Sequence, residues 1–316
     1  MKHALKITLL LIAMFLITQT IGIFVVAHYS PQTIEIKNPD GTMSQLTTYN
    51  LPYGMDPPQE VEQKSVGSIA SSFVIIFAIA VGLMLILMKF NADLLIRGWF
   101  FVVVLLAVGI SVNSFISQLP SASIISLVIA LPLGYFKIFK RNLLVHNITE
   151  LIIYPGIAAI FVALLLSWTS SPILAVSIIL ILISFYDMYA VWHSGFMQRM
   201  AQYQITNLKL FTGFFIPYIG KKQRQALQKS SKLKKKKQKS VKISVAILGG
   251  GDVVFPIILA GVVLNIFGLL PALIISLGAT LALSGLFWLS EKGKFYPAMP
   301  FISVGCFAAL GIIYLL

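Results

Sequence analysis

The sequence predicts an all-α membrane protein of nine transmembrane helices, N-terminus cytoplasmic and C-terminus outside, and three observations carry that prediction. Of the 316 residues, 58% are hydrophobic and only 11% are charged, with mean hydropathy +0.91, whereas soluble chains hold closer to a quarter charged residues. Apolar runs of about 20 residues, the length that crosses a bilayer core, recur along nearly the whole chain. The basic residues then fall almost entirely on one side of the serpentine those runs describe, as cytoplasmic loops require.

The first run, about residues 5–28, follows Lys2 and Lys6. It is too long for a signal peptide and lacks a small-residue cleavage site, so it reads as an anchored helix. Runs at about 66–88, 98–116, 121–139, 148–168 and 172–193 come next. Only the short turns around QLPSAS and SWTSSP separate the third from the fourth and the fifth from the sixth. Three more, at about 243–267, 269–290 and 297–316, complete the set, the seventh and eighth nearly continuous at Phe267–Pro271. The chain thus divides into residues 1–193 with six spans, a basic cytoplasmic loop over 194–242 expected to be flexible, and 243–316 with three spans.

With the N-terminus inside, only Lys37 and Lys64 of the 24 Lys and Arg residues lie outside, beside Glu35, Asp40, Asp56, Glu60 and Glu62. Trp99, Trp168, Trp192 and Trp288 read as interfacial belt residues, and His146 and His193 as residues of the inner membrane edge. The net charge of +14 comes mostly from the 194–242 loop, above all the stretch 229–242. A solvated topogenic loop explains it, and attraction to anionic lipid headgroups, at about 1 kcal/mol per residue near the surface, is the functional alternative. Nucleic acid is not an expected partner, because no folded module accompanies the lysines. The apolar segment 208–220 within this loop is short, broken by Gly and Pro, and suited to the membrane interface. A single cysteine, Cys306, excludes an internal disulfide and a cysteine-based metal site.

The chemistry lies in the acids. Of ten Asp and Glu residues, only Asp187 and Asp252 sit deep within apolar runs, in the sixth and seventh spans. Counted from the inner ends of those spans at ~1.5 Å per residue, they lie at ~9 and ~14 Å, about the same level. Acids at such depth are unfavourable by a few kcal/mol and mark function. Two facing carboxylates in a low dielectric share one proton, so the ionised member can activate water while the protonated one polarises a carbonyl. Gly249 and Gly251 before Asp252 leave room for a substrate backbone. Proton- or cation-coupled transport through the same two acids is the competing reading, since glycine-interrupted helices also occur in transporters. Composition and depth leave both open, although no second half of the chain mirrors spans six and seven.

The wording of these segments resembles a known family. Tyr186-Asp187 in span six, Gly249-Gly250-Gly251-Asp252 in span seven and Pro297-Ala298-Met299-Pro300 opening span nine are similar to the YD, GxGD and PAL motifs of the presenilin and signal peptide peptidase family of intramembrane aspartyl proteases. The wording GGGDVVFP resembles signal peptide peptidases and the N-in orientation resembles presenilins, a mixture similar to archaeal presenilin-type homologues. The motif-bearing resemblance covers about residues 180–305.

It implies a multi-pass protein of the cell membrane that hydrolyses single-span membrane proteins or signal-peptide remnants with water and no cofactor or metal. Asp187 and Asp252 would be its catalytic pair. Tyr186, Gly249, Gly250, Gly251, Pro297, Ala298 and Met299 would shape the substrate site. The family's leucine is Met299 here, a volume-conserving exchange. A literal Pro-Ala-Leu at Pro271–Leu273 lies at the outer end of span eight and reads as coincidence. By the same resemblance, the basic loop would gate the site or be cut during maturation.

Overall fold

The computed structural model describes residues 5–37, 43–57, 63–140, 142–194, 212–218, 244–290 and 296–316. Nine long helices occur among them: α1 (Leu5–His28), α2 (Val66–Lys89), α3 (Asp93–Ile116), α4 (Ala122–Ile138), α5 (Leu143–Trp168), α6 (Pro172–Tyr189), α7 (Gly250–Phe267), α8 (Leu269–Leu289) and α9 (Met299–Leu315). Seven of these, all but the 17-residue α4 and α9, are long and apolar enough to cross a membrane. Most of the 194–242 loop, including the 229–242 stretch, lies outside the described residues.

Local chemistry sets the helix boundaries. Asn142 caps α5 by accepting from the amides of Leu144 and Val145 at 3.0 and 3.3 Å, and Ser65 caps α2 through the Ser68 amide; both satisfy donors that a helix start leaves open. Pro172 begins α6 where its missing N–H costs nothing. The near-continuous apolar sequence of spans seven and eight is divided by one residue, Gly268, whose φ of 90° suits glycine and ends α7.

The structure departs from the all-α expectation in two places. β1 (Gln32–Lys37) and β2 (Met43–Thr48) form an antiparallel ribbon between α1 and α2. β3 (Gly213–Tyr218) and β4 (Ser244–Gly249) form a second. The segment expected at the interface around 208–220 therefore contains a strand. The seventh helix begins at Gly250 rather than near residue 243, because the residues before it are extended. Ala246 and Leu248 are buried and Ile247 is exposed, the period-two pattern of a strand.

α7 is the centre of the bundle, packed against α1, α5, α6, α8 and α9. Gly278 of α8 and Gly305 of α9 bring their backbones together so closely that a Cβ on either would lie 2.6 or 2.5 Å from the other's carbonyl oxygen. Small residues serve this purpose where lipid supplies no hydrophobic drive between helices. α2 is the peripheral member, with Ile69 its only buried residue. Outward-facing Ile76, Leu281 and Trp288 are 64%, 71% and 73% exposed, a surface suited to lipid rather than water.

Candidate active site

Two helix beginnings and one helix end converge around the two aspartates. Asp187 sits in the last turn of α6, before the chain passes into a π-helical turn over Ala190–Ser194. Its side chain is buried, and Oδ2 accepts a hydrogen bond from the Met299 amide at 3.1 Å, with the Ala298 backbone beside it. Met299 is the first residue of α9, so its N–H has no partner within the helix and the positive end of the helix dipole faces the carboxylate. The Pro297-Ala298-Met299 segment therefore meets Asp187 through its backbone. The Met299 side chain is itself buried in the core.

Asp252 is the third residue of α7, and its Oδ2 turns back toward the backbone of Gly249, the residue that caps the helix. An acid at this position complements the helix N-terminus. It is close enough to Asp187 for direct charge–charge repulsion. β4 delivers the chain to this point, which is why Asp252 lies one turn into a helix rather than the nine residues counted from the sequence. Gly250 rests against the ring of Tyr154 from α5, whereas Gly251 is exposed, and a Cβ built on it would meet, among the described residues, just the Phe255 ring.

Tyr186 packs edge-on against Phe77 of α2, ring centroids 4.9 Å apart, and Phe255 meets Phe73 of the same helix at 6.4 Å. These aromatic pairs attach the exposed α2 to both aspartate-bearing helices. An apolar groove of about 810 Å³ runs beside the site between α6, α8 and α9, lined by Met188, Trp192, Leu281, Pro297, Phe301 and neighbouring residues. Ser184 and Ser303 hydrogen-bond at 2.9 Å and tie α6 to α9. The literal Pro271–Leu273 copy lies at the start of α8, at the opposite end of that helix from Leu289, and the groove along α8 reaches Ile274 just after it.

Some residues that build the site were not singled out by the sequence. Gln19 of α1 is fully buried and donates through Nε2 to the Val253 carbonyl at 3.0 Å, immediately after Asp252. Tyr154 lies under Gly250, and Glu150 and His146 of α5 hold the start of β3. Glu150 reads in the sequence as an acid at the start of the fifth span, whereas α5 begins at Leu143 and Glu150 stands two turns inside it. His146 is thus more than a membrane-edge residue, because its Nε2 lies 2.9 Å from the Gly213 carbonyl oxygen.

Two solved structures share this architecture. A presenilin family intramembrane aspartate protease in a C222 crystal form superposes with a TM-score of 0.59 at 19% identity, covering 98% of this chain and 99% of its own. A presenilin family intramembrane aspartate protease in a P2 form gives 0.56 at 17% identity, with 97% of each chain covered. Among curated proteins, none matches the chain. The family model described as signal-peptide peptidase, presenilin aspartyl protease matches residues 48–316, which decides between proteolysis and transport: this chain belongs to that family and is an intramembrane aspartyl protease.

Proposed function

We propose that Asp187 and Asp252 are the catalytic pair and that the substrates are single-span membrane segments, signal-peptide remnants among them. The observation that carries this is the placement of two carboxylates within repulsive range of each other, one on the α9 N-terminus and one in the first turn of α7. Two such groups hold one proton between them. The ionised carboxylate takes a proton from water as the water oxygen bonds to the scissile carbonyl carbon, and the protonated carboxyl donates to the carbonyl oxygen. As the resulting diol collapses, one carboxyl gives its proton to the nitrogen and the other carboxylate takes a proton from a diol hydroxyl. The C–N bond breaks, an acid and an amine leave, and the pair again holds one proton.

A substrate helix hides its carbonyls in its own hydrogen bonds, so it must unwind first. Freed backbone groups at membrane depth need partners from protein or from a water-lined cavity. Among the described residues β4 has one edge bonded to β3 and no strand on the other, and an extended substrate segment can add there as a further strand. Gly249, Gly250 and Gly251 line the approach to Asp252, Pro297, Ala298 and Met299 line the wall beside Asp187, and Tyr186 packs alongside. Nine spans in the cell membrane, with the N-terminus inside and the C-terminus outside, complete the reading. The 229–242 stretch is left to contact anionic lipid.

A peptide isostere with a hydroxyl in place of the scissile carbonyl imitates the diol and should inhibit competitively. Its affinity should fall in Asp187→Asn and in Asp252→Asn; equal affinity in either variant would remove that residue from the pair. Because Met299 contacts Asp187 through its amide, Met299→Leu should cost less than about 1.5 kcal/mol and leave turnover of a reporter close to wild type. A loss of turnover in the intact Met299→Leu protein would instead assign the side chain a direct part in the site.

A further inference from the structure

A cluster of buried polar and charged groups outside the aspartates lies on one face of α5, beside the β3–β4 ribbon. Lys137 of α4 donates to Glu150 at 2.5 Å, and the two side chains are only 4% and 2% exposed. Lys137 Nζ also lies 3.3 Å from His146 Nδ1. Glu150 Oε1 accepts the Gly213 amide at 3.2 Å, while His146 Nε2 sits 2.9 Å from the Gly213 carbonyl oxygen. One turn along, Asn147 donates to the Phe215 carbonyl at 3.0 Å and accepts its amide at 3.1 Å. Both backbone groups of Gly213 and both of Phe215 are thereby held by α5 side chains.

The ladder carries that hold across to the active site. Gly213 pairs with Gly249, and Phe215 pairs with Ile247. Gly249 caps α7 and lies three residues before Asp252. The same α5 face continues to the buried Tyr154, one turn on from Glu150 and close to that residue's carboxyl. Its ring lies under Gly250 and edge-on to Phe214, centroids 5.9 Å apart. A buried ion pair adds little stability over well-packed apolar residues, so stability alone does not account for Lys137 and Glu150. Fixing the β3 strand through its backbone does.

We propose that Glu150 is a positioning residue of the protease: with His146 and Asn147 it pins β3 at Gly213 and Phe215, and through the Gly213–Gly249 pair it sets where Asp252 stands relative to Asp187. Lys137 holds the Glu150 carboxylate in place through their ion pair. The inference rests on the aspartate-pair reading, and Asp252→Asn run alongside separates failure of one from failure of the other.

The test uses the purified full chain and a single-span reporter, with thermal midpoint, kcat, KM and product masses measured for each variant. Glu150→Leu, which removes the acceptor, should lower kcat roughly tenfold to a hundredfold, the scale of a small misplacement near the chemistry. KM should change little, and cleavage should spread to neighbouring bonds. Lys137→Met combined with Glu150→Gln removes both charges but leaves an acceptor for Gly213, and should recover most of the lost turnover and the original product pattern. Asn147→Leu touches no charge and releases Phe215, and it should shift the product pattern in the same direction. Should Glu150→Leu fail to fold, the Asn147→Leu products decide. A folded Glu150→Leu or Asn147→Leu with wild-type kcat and unaltered products overturns the proposal. So does a loss of turnover wholly matched by a loss of protein able to bind the hydroxyl isostere.

Discussion

Asp187→Asn and Asp252→Asn should each abolish cleavage of a single-span reporter in liposomes, a loss of roughly 10²–10⁴-fold or more for removal of an acid–base group. The two roles are unequal at any instant but exchange during the cycle, so neither carboxylate substitutes for the other. Both substitutions should leave the fold intact. Asparagine at 187 still offers an oxygen to the Met299 amide that now meets Oδ2 at 3.1 Å. Asparagine at 252 retains the short polar side chain that turns back on Gly249. Removing charge from the hydrocarbon is not itself destabilising. The thermal midpoint should therefore stay near wild type while activity disappears. Substantial cleavage remaining in either folded variant would falsify the aspartate pair as the catalytic centre, and a parallel collapse of the midpoint would identify a structural role instead.

Asp187 and Asp252 were legible in the sequence because an acid in hydrocarbon is rare and costly, and there were only two at comparable depth. Their company was less so. Ser244–Gly249 is apolar on both faces of the strand, and a short apolar run cannot be told from a helix by periodicity when no polar face alternates with it. Counting it as helix placed Asp252 nine residues into a span, although it stands in the first turn of α7. β3 was hidden for a different reason: the apolar segment 208–220, short and broken by Gly and Pro within a basic loop, reads as an interfacial stretch, and its strand partner, Ser244–Gly249, lies beyond the basic stretch. Glu150 was visible as an acid, but its meaning depends on the Gly213 amide, 63 positions away. The contribution of Pro297-Ala298-Met299 was legible as a motif and not as physics, since what it supplies to Asp187 is a backbone amide at a helix start.

The Gly249-Gly250-Gly251 run permits a sharper test, because the motif and the packing rank its members differently. The GxGD pattern singles out Gly249 and Gly251 and leaves the middle position free. In the structure the middle position is the tightest. A Cβ on Gly250 would lie 2.8 Å from both Cε1 and the hydroxyl of Tyr154, and Tyr154 is 4% exposed with no space to retreat into. Gly250→Ala should therefore push β4 and the first turn of α7 away from α5, costing about 1–3 kcal/mol of stability. The displacement of Asp252 should lower kcat by up to roughly 10²-fold. At Gly249 a Cβ would stand 3.1 Å from Asp252 Oδ2, so Gly249→Ala should turn the carboxylate and reduce kcat with a smaller change in stability. Among the described residues a Cβ on Gly251 meets only the Phe255 ring, at 3.8 Å, and alanine favours a helix over glycine by about 0.5–1 kcal/mol. Gly251→Ala should raise the thermal midpoint or leave it unchanged. Any loss there should appear as a higher KM, the mark of a methyl group in the path of substrate. If Gly250→Ala instead keeps both its midpoint and its kcat, the α5 face does not support the start of α7. The motif's own ranking, with its free middle position, would then describe the site better than the packing does.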